Sequence, residues 1–367
     1  MRAVCGKRIF MASSEKKKKT SVKCPEKKMS IGGQAVIEGV LMKSRNYYAV
    51  AAMRKNGKIE KISGKAKSLA DRAAFLKWPF FRGFLNLVEQ MILGYKALDW
   101  SAKIYEEEWE KEEKAKNKGK KNKKKKTEKK LTKKQKERKE KMESVLTFVF
   151  SMAVAVAVFI YIPVLLTKFS GSLFPVINEN RTLFNTEIVF WKLLLFFLYV
   201  WGISFMEDVR RLFMYHGAEH KAIYTFEDGK ELTLKNMRKY TTLHPRCGTA
   251  FIFITLLVSI VVFILLLPPE FPVWKRILFE IPLLVPIAGI SYEVLKLSDK
   301  FKDNIFVNAF IAPGLAFQKI TTKEPDDKMM ITAAGAIKEV LRLEKKNAPK
   351  SAPRRPKKSP KKKASKK

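Results

Sequence analysis

The sequence predicts a mainly α-helical polytopic membrane protein of about four transmembrane helices, preceded by a small N-terminal antiparallel β-hairpin region and an interfacial helix. Three observations predict it. The chain combines a formal net charge of +39 with 47% hydrophobic residues, a pairing that one soluble domain rarely shows. Its lysines are segregated into three tracts, Lys16 to Lys28, Lys111 to Lys141 and Lys345 to the C-terminus. Outside those tracts lie apolar segments of the roughly 20 residues that a bilayer crossing requires.

Residues 1–28 read as a disordered basic extension, because too little apolar surface is available there to offset the entropy of ordering. The opening residues lack the apolar run of a secretory signal, and Met11 and Met29 are alternative starts. Cys5, Cys24 and Cys247 form no CxxC pair, which fits a reducing, cytosol-facing protein and not a disulfide framework.

Residues 29–66 form the β region. Ser44-Arg45-Asn46 and Asn56-Gly57 punctuate β-branched and aromatic runs, the latter as a tight-hairpin signal, so about three strands are expected. Gly32-Gly33 suits a backbone bend, and Glu38, inside an apolar run, reads as a charge on the solvent face of a strand. In residues 67–109, Lys77, Pro79, Arg82 and Glu89 interrupt an aromatic-rich stretch and would be costly at the bilayer centre. That segment therefore predicts an amphipathic helix lying in the interface. Residues 110–142 read as a disordered lysine-rich insert.

Residues 143–341 make the membrane domain, with spans at 145–166, 188–206, 250–267 and 277–295. In the second span Lys192 is expected to snorkel. In the fourth, Glu280, Pro282, Pro286 and Glu293 predict either a kinked span or a broken helix lining a polar cavity. The loop 207–249 is rich in Lys and Arg, while the opposite loops carry only Lys168, Arg181, Lys275 and Arg276. By the positive-inside rule this puts that loop and both termini in the cytosol, in a multi-pass protein of the plasma membrane. An amphipathic helix carrying Met329, Ala333, Ile337 and Val340 follows, and residues 342–367 read as a disordered lysine-rich tail.

The loop 207–249 holds all three histidines of the chain. His216 and His220 are four apart, so a helix points both imidazoles to one side, with Glu219 one turn from His216. This HxxEH order inverts the HExxH metalloprotease motif, in which two His bind zinc and the Glu is general base. Gly217 costs that helix about 1 kcal/mol. His244 and Cys247, in "HPRCGT", are further zinc ligands by chemistry. Glu293 is expected at the same interface, as a carboxylate ligand or a support for an imidazole. The candidate metal set is therefore His216, His220, His244, Cys247 and Glu293, with Glu219 catalytic and a divalent metal, zinc, as cofactor. A closed ligand set means structural zinc and an open position means hydrolysis; a purely polar structural cluster is the alternative to both.

The strings "GGQAVIEGV", "YHGAEHKAI", "HPRCGT", "ISYE" and "APGLAFQKITTKEPDD" occur in this order. Together they make the chain resemble, over roughly Met29 to Leu341, the YqhQ-like family of bacterial membrane proteins. That family is built around a domain of unknown function and is described only as predicted metal-dependent enzymes. The resemblance implies a metal site at His216, Glu219, His220, His244 and Cys247, and this chain departs from the family's usual form in its lysine arms. Two functional readings follow. One is a zinc-dependent hydrolase at the cytosolic membrane interface, acting on a peptide or lipid-linked bond. The other is a non-enzymatic membrane scaffold whose lysine arms bind ribosomal RNA or anionic lipid by counterion release. Glycine-rich phosphate loops and serine nucleophile elbows are not evident, so nucleotide-driven and serine-hydrolase chemistry are not supported.

Overall fold

The computed structural model describes residues 29–66, 68–69, 78, 81–117, 133–245, 247–301 and 304–347. The N-terminal extension, the middle of the lysine-rich insert, the end of the tail and Arg246 lie outside the described residues. Four strands, β1 (Gly32–Val36), β2 (Gly39–Lys43), β3 (Tyr47–Met53) and β4 (Ile59–Lys65), form an antiparallel meander in the order 1-2-3-4. The Asn56-Gly57 turn closes β3 on β4 with Gly57 at φ 81°, as that dipeptide predicts.

The fourth strand comes from a turn that the apolar run concealed. Ile37 and Glu38 reverse the chain between β1 and β2, with Glu38 at φ 50°, a conformation that usually falls to Gly, Asn or Asp. Glu38 is thus not a solvent-facing strand residue: its carboxylate accepts from Arg211 Nε at 2.6 Å and Nη2 at 2.5 Å, and from the Tyr215 hydroxyl at 3.4 Å. Nor are Gly32 and Gly33 a bend; they begin β1.

Alternate residues of β2 and β3 face opposite ways, and both faces are covered. Val40, Met42, Ala49 and Ala51 pack with helices α6 (Glu207–Glu227) and α11 (Asp327–Lys346), while Leu41 and Val50 pack on Ala97 of helix α1 (Phe81–Asn117). This double burial is why β2 reads Gly-Val-Leu-Met-Lys without alternation. Helix α1 also docks on helix α9 (Val273–Lys300) through the Arg82–Glu293 pair and a 3.0 Å bond from Asn86 Nδ2 to the Tyr292 hydroxyl. Met91, Ile92 and Tyr95 remain exposed along it.

The lysine-rich insert is helical at both flanks, which corrects the expectation of disorder there: α1 runs to Asn117 and helix α2 (Lys133–Val156) begins at Lys133. Lys and Glu are good helix formers, and each flank continues a helix already nucleated by apolar neighbours. The tail is likewise ordered as far as Lys346 and Asn347.

After α2, a π-helical turn (Ala157–Tyr161) leads to α3 (Ile162–Leu173), a short α4 (Pro175–Glu179) and α5 (Arg181–Ile203). Beyond α6 come a short α7 (Leu234–Met237), α8 (Gly248–Leu266), α9 and α10 (Ile305–Thr321). Four stretches are long and apolar enough to cross a membrane: Val145–Leu173, Arg181–Ile203, Gly248–Leu266 and Val273–Leu297. The chain is a membrane protein of the predicted class.

One group of charges inside the spans joins α5 to α9. Lys192 does not snorkel; its Nζ lies 2.6 Å from Glu280, which also takes Arg276 at 3.2 Å, and Arg276 donates to Asn185. Helix α9 passes Pro282 and Pro286 as one continuous helix, so the broken-helix alternative is not the one adopted. Helix α10, which the sequence reading did not separate out, packs Gly314 against Ala250 of α8 and stacks Phe317 on Phe196 of α5 at 5.3 Å.

Candidate metal centre

Helix α6 leaves the end of α5 with Glu207 and Asp208 in its first turn, favourable to the helix dipole, and carries the YHGAEHK heptad across the ends of three other elements. Each residue there has an assignable contact. The His216 Nδ1–H donates to the Thr321 carbonyl at 2.8 Å, leaving Nε2 aimed at Cys247 Sγ, 3.2 Å away. His220 Nδ1–H likewise donates to the Thr242 carbonyl, so its Nε2 also turns towards the thiol. The ligand atoms of His216, His220 and Cys247 all lie within 4.8 Å of one another. Among the described residues this is the group of metal-ligating side chains close enough to share an ion.

Gly217 explains how the Thr321 carbonyl gets so near. A Cβ there would lie 2.1 Å from the Lys323 carbonyl oxygen, and the Lys323 N–H donates to the Phe213 carbonyl at 2.9 Å. The glycine is therefore a close-approach residue, and more than a weak point in the helix. Lys221, almost wholly buried, pairs with Glu324 of the same segment. Tyr215 is buried against the sheet, and that burial holds its phenol above its ordinary pKa.

Glu219 faces β1, where Gly33 leaves room: a Cβ at Gly33 would meet Glu219 Oε1 at 2.8 Å. Full burial pushes its carboxyl up to about 7, opposed by the neighbouring His216 and by the Gly33 N–H that donates to it. Burial also lowers the His220 imidazole below its ordinary value, which favours the neutral form that ligates.

The other two predicted ligands stand apart. His244 is buried beside the cluster, its ring 5.5 Å from that of His220 and 4.5 Å from Tyr224, with Nε2 3.7 Å from Glu227 Oε2. Gln318 of α10 grips its backbone from both sides, accepting from His244 N–H at 2.7 Å and donating to His244 O at 2.9 Å. Glu293 is not at the centre. Arg82 Nε and Nη2 hold its carboxylate at 2.7 and 2.6 Å, joining α1 to α9. The sequence could not show this, because the partner on α1 is 211 residues away.

Sequence reasoning missed Thr242, Thr321 and Gln318. The first two act through backbone carbonyls, which carry no residue-type signal. Gln318 and Thr321 lie in "APGLAFQKITTKEPDD", a string that had been singled out without a role.

The family model described as "Protein of unknown function (DUF1385)" matches residues 78–343. "Uncharacterized protein YqhQ" of Bacillus subtilis (strain 168) is 32% identical over 313 residues, covering 85% of this chain and 92% of that protein. No solved structure matches the chain.

Proposed function

The chain belongs to the DUF1385 family, whose description assigns no activity, and from that premise we propose that it is an integral membrane hydrolase using zinc held by His216, His220 and Cys247. The observation that carries this reading is the pair of imidazoles whose Nδ1–H groups are each bound by a main-chain carbonyl while both Nε2 atoms face one thiol. Such carbonyls set the tautomer and raise ligand basicity, the usual support of a metal-bound histidine. Two neutral imidazoles and a thiolate fit zinc in donor type, and three protein ligands leave a fourth position open, the pattern of catalytic zinc.

Zinc, when bound, supplies Lewis acidity and lowers the pKa of water to about 7. Glu219, next in sequence to His220, takes the proton that the attacking water loses. The water oxygen bonds to the electrophilic carbon of an acyl-type bond, the bond to the leaving group breaks, and Glu219 returns the proton to that group. Gly33 keeps the carboxylate in place through its N–H. The excess of Lys and Arg in the loop around the centre supports a cytosolic-face location at the plasma membrane for this chemistry.

A closed structural zinc site is the second reading, favoured by His244, whose ring is near enough to His220 to supply a fourth ligand after a rotation. The test is zinc content of protein purified in non-chelating buffer, together with the spectrum of the cobalt-substituted form. Stoichiometric zinc, lost in His216→Ala/His220→Ala, and a thiolate-to-cobalt band lost in Cys247→Ser are expected. Wild-type protein without stoichiometric metal sinks the proposal. A cobalt spectrum that does not respond to azide, and becomes responsive in His244→Ala, selects the closed site.

A further inference from the structure

We infer that the cleft between α5, α8 and α10 seats one hydrocarbon chain of a lipid whose head end reaches the His216/His220/Cys247 centre, so that the substrate of the hydrolase proposed above, on which this inference rests, is a lipid or lipid-linked compound. The cleft holds about 390 Å³ and is walled by Phe190, Leu194 and Phe197 of α5, Ile252 of α8 and Phe317 of α10, with Thr249 the polar residue in its lining. A buried water needs two to four polar partners, and this lining does not offer them. Phe190, Phe197 and Ile252 are each more than a third exposed, so the cleft opens on the outer surface of helices that cross the bilayer. What meets that opening in a membrane is hydrocarbon.

The position of the cleft gives the chain a direction. Along α8 its lining runs from Thr249 to Leu256, about 10 Å at the helical rise. At the Thr249 end, the threonine hydroxyl lies 3.4 Å from Cys247 Sγ. On α10, Phe317 precedes by one turn Thr321, whose carbonyl fixes His216. A chain lying with its tail towards Leu256 therefore brings its first polar atoms to the thiol and the two imidazoles. A helical peptide segment is about 10–12 Å across with its side chains, too wide for this volume, and this favours a single lipid chain over a transmembrane peptide.

The test uses the full chain in nanodiscs of phosphatidylethanolamine and phosphatidylglycerol spiked with a phospholipid bearing a diazirine on one chain, irradiated and mapped by mass spectrometry. Adducts on Leu194, Ile252 and Phe317 are expected at several times the yield on Val261 and Leu278, which are exposed on α8 and α9 outside the cleft. Filling the cleft by Ala316→Trp should abolish that excess and leave the Val261 adducts and the zinc content unchanged. If Ala316→Trp does not fold, Ile252→Phe on the exposed wall provides the same reading. Equal yields inside and outside the cleft, an excess insensitive to both variants, or displacement of the lipid by an apolar transmembrane peptide overturns the inference. Zinc is measured on the same samples: preferential labelling without stoichiometric zinc overturns the hydrolase and the substrate assignment with it, whereas zinc without preferential labelling overturns only the lipid chain.

Discussion

Replacing Gly217 by alanine sets two known magnitudes against each other. In an isolated helix the change is favourable by about 1 kcal/mol. Here the new Cβ would sit 2.1 Å from the Lys323 carbonyl oxygen, with Thr242 Cγ2 at 3.1 Å on another side. Ordinary contact begins near 3.4 Å, so the carbonyl must retreat by about 1.3 Å. Overpacking of this kind costs roughly 1–3 kcal/mol, and the retreat also stretches the Lys323 N–H bond to Phe213 O, worth about 1 kcal/mol. The net effect is a loss of about 1–3 kcal/mol, opposite in sign to helix propensity. The displaced segment carries the Thr321 carbonyl that orients His216, so zinc affinity should fall with it, by about 10- to 100-fold for the loss of such a support. Thermal unfolding in detergent and competition with a chromophoric chelator measure the two effects. Gly202→Ala is the control, because a Cβ there meets nothing within 4 Å. Gly217→Ala protein that melts at or above the wild-type temperature with unchanged zinc affinity refutes the close-approach argument.

Glu280→Gln leaves Lys192 and Arg276 facing each other without their shared anion, and should destabilise by about 3–5 kcal/mol; Lys192→Met keeps the Arg276–Glu280 pair and should cost less, so the reverse order of melting temperatures argues against the shared-anion picture. Glu38→Asn tolerates the turn conformation but loses the two-bond acceptor of the half-exposed Arg211, for about 1 kcal/mol, with zinc stoichiometry unchanged. Gln318→Glu removes the donor facing the His244 carbonyl and should cost about 1–3 kcal/mol, and a wild-type melting curve would deny that clamp a role. Stripping the metal with a chelator should lower stability by about 2.7 kcal/mol relative to protein held at a hundred-fold excess of zinc over its Kd; identical melting curves would show that no ion is held by the native fold.

How much was legible depended on the range of each interaction. The four spans were readable because hydropathy over about 20 residues is a property of the segment itself; the observed spans contain or closely overlap the predicted ones. The Asn56-Gly57 turn was readable because its conformation is local to two residues. The Ile37-Glu38 turn was not, since a charged residue with positive φ is held there by Arg211, 173 residues away. The flanks of the lysine insert were misread because composition alone ignores the helices they extend.

The same division runs through the candidate centre. A helical period of 3.6 residues sets His216 and His220 on one face wherever the helix lies, so that pair was settled by the sequence alone. Which residue completes it was settled by packing. Gly217 and Gly314 let backbones approach closely enough for α10 to present Thr321 to His216, while Cys247, just before the first residue of α8, stands beside both rings. The His244 ring lies beside Tyr224 and Glu227 while Gln318 holds its backbone, and Glu293 is held by Arg82. Sequence spacing constrains angles along one helix; distances between helices arise only when their side chains and backbones compete for the same space.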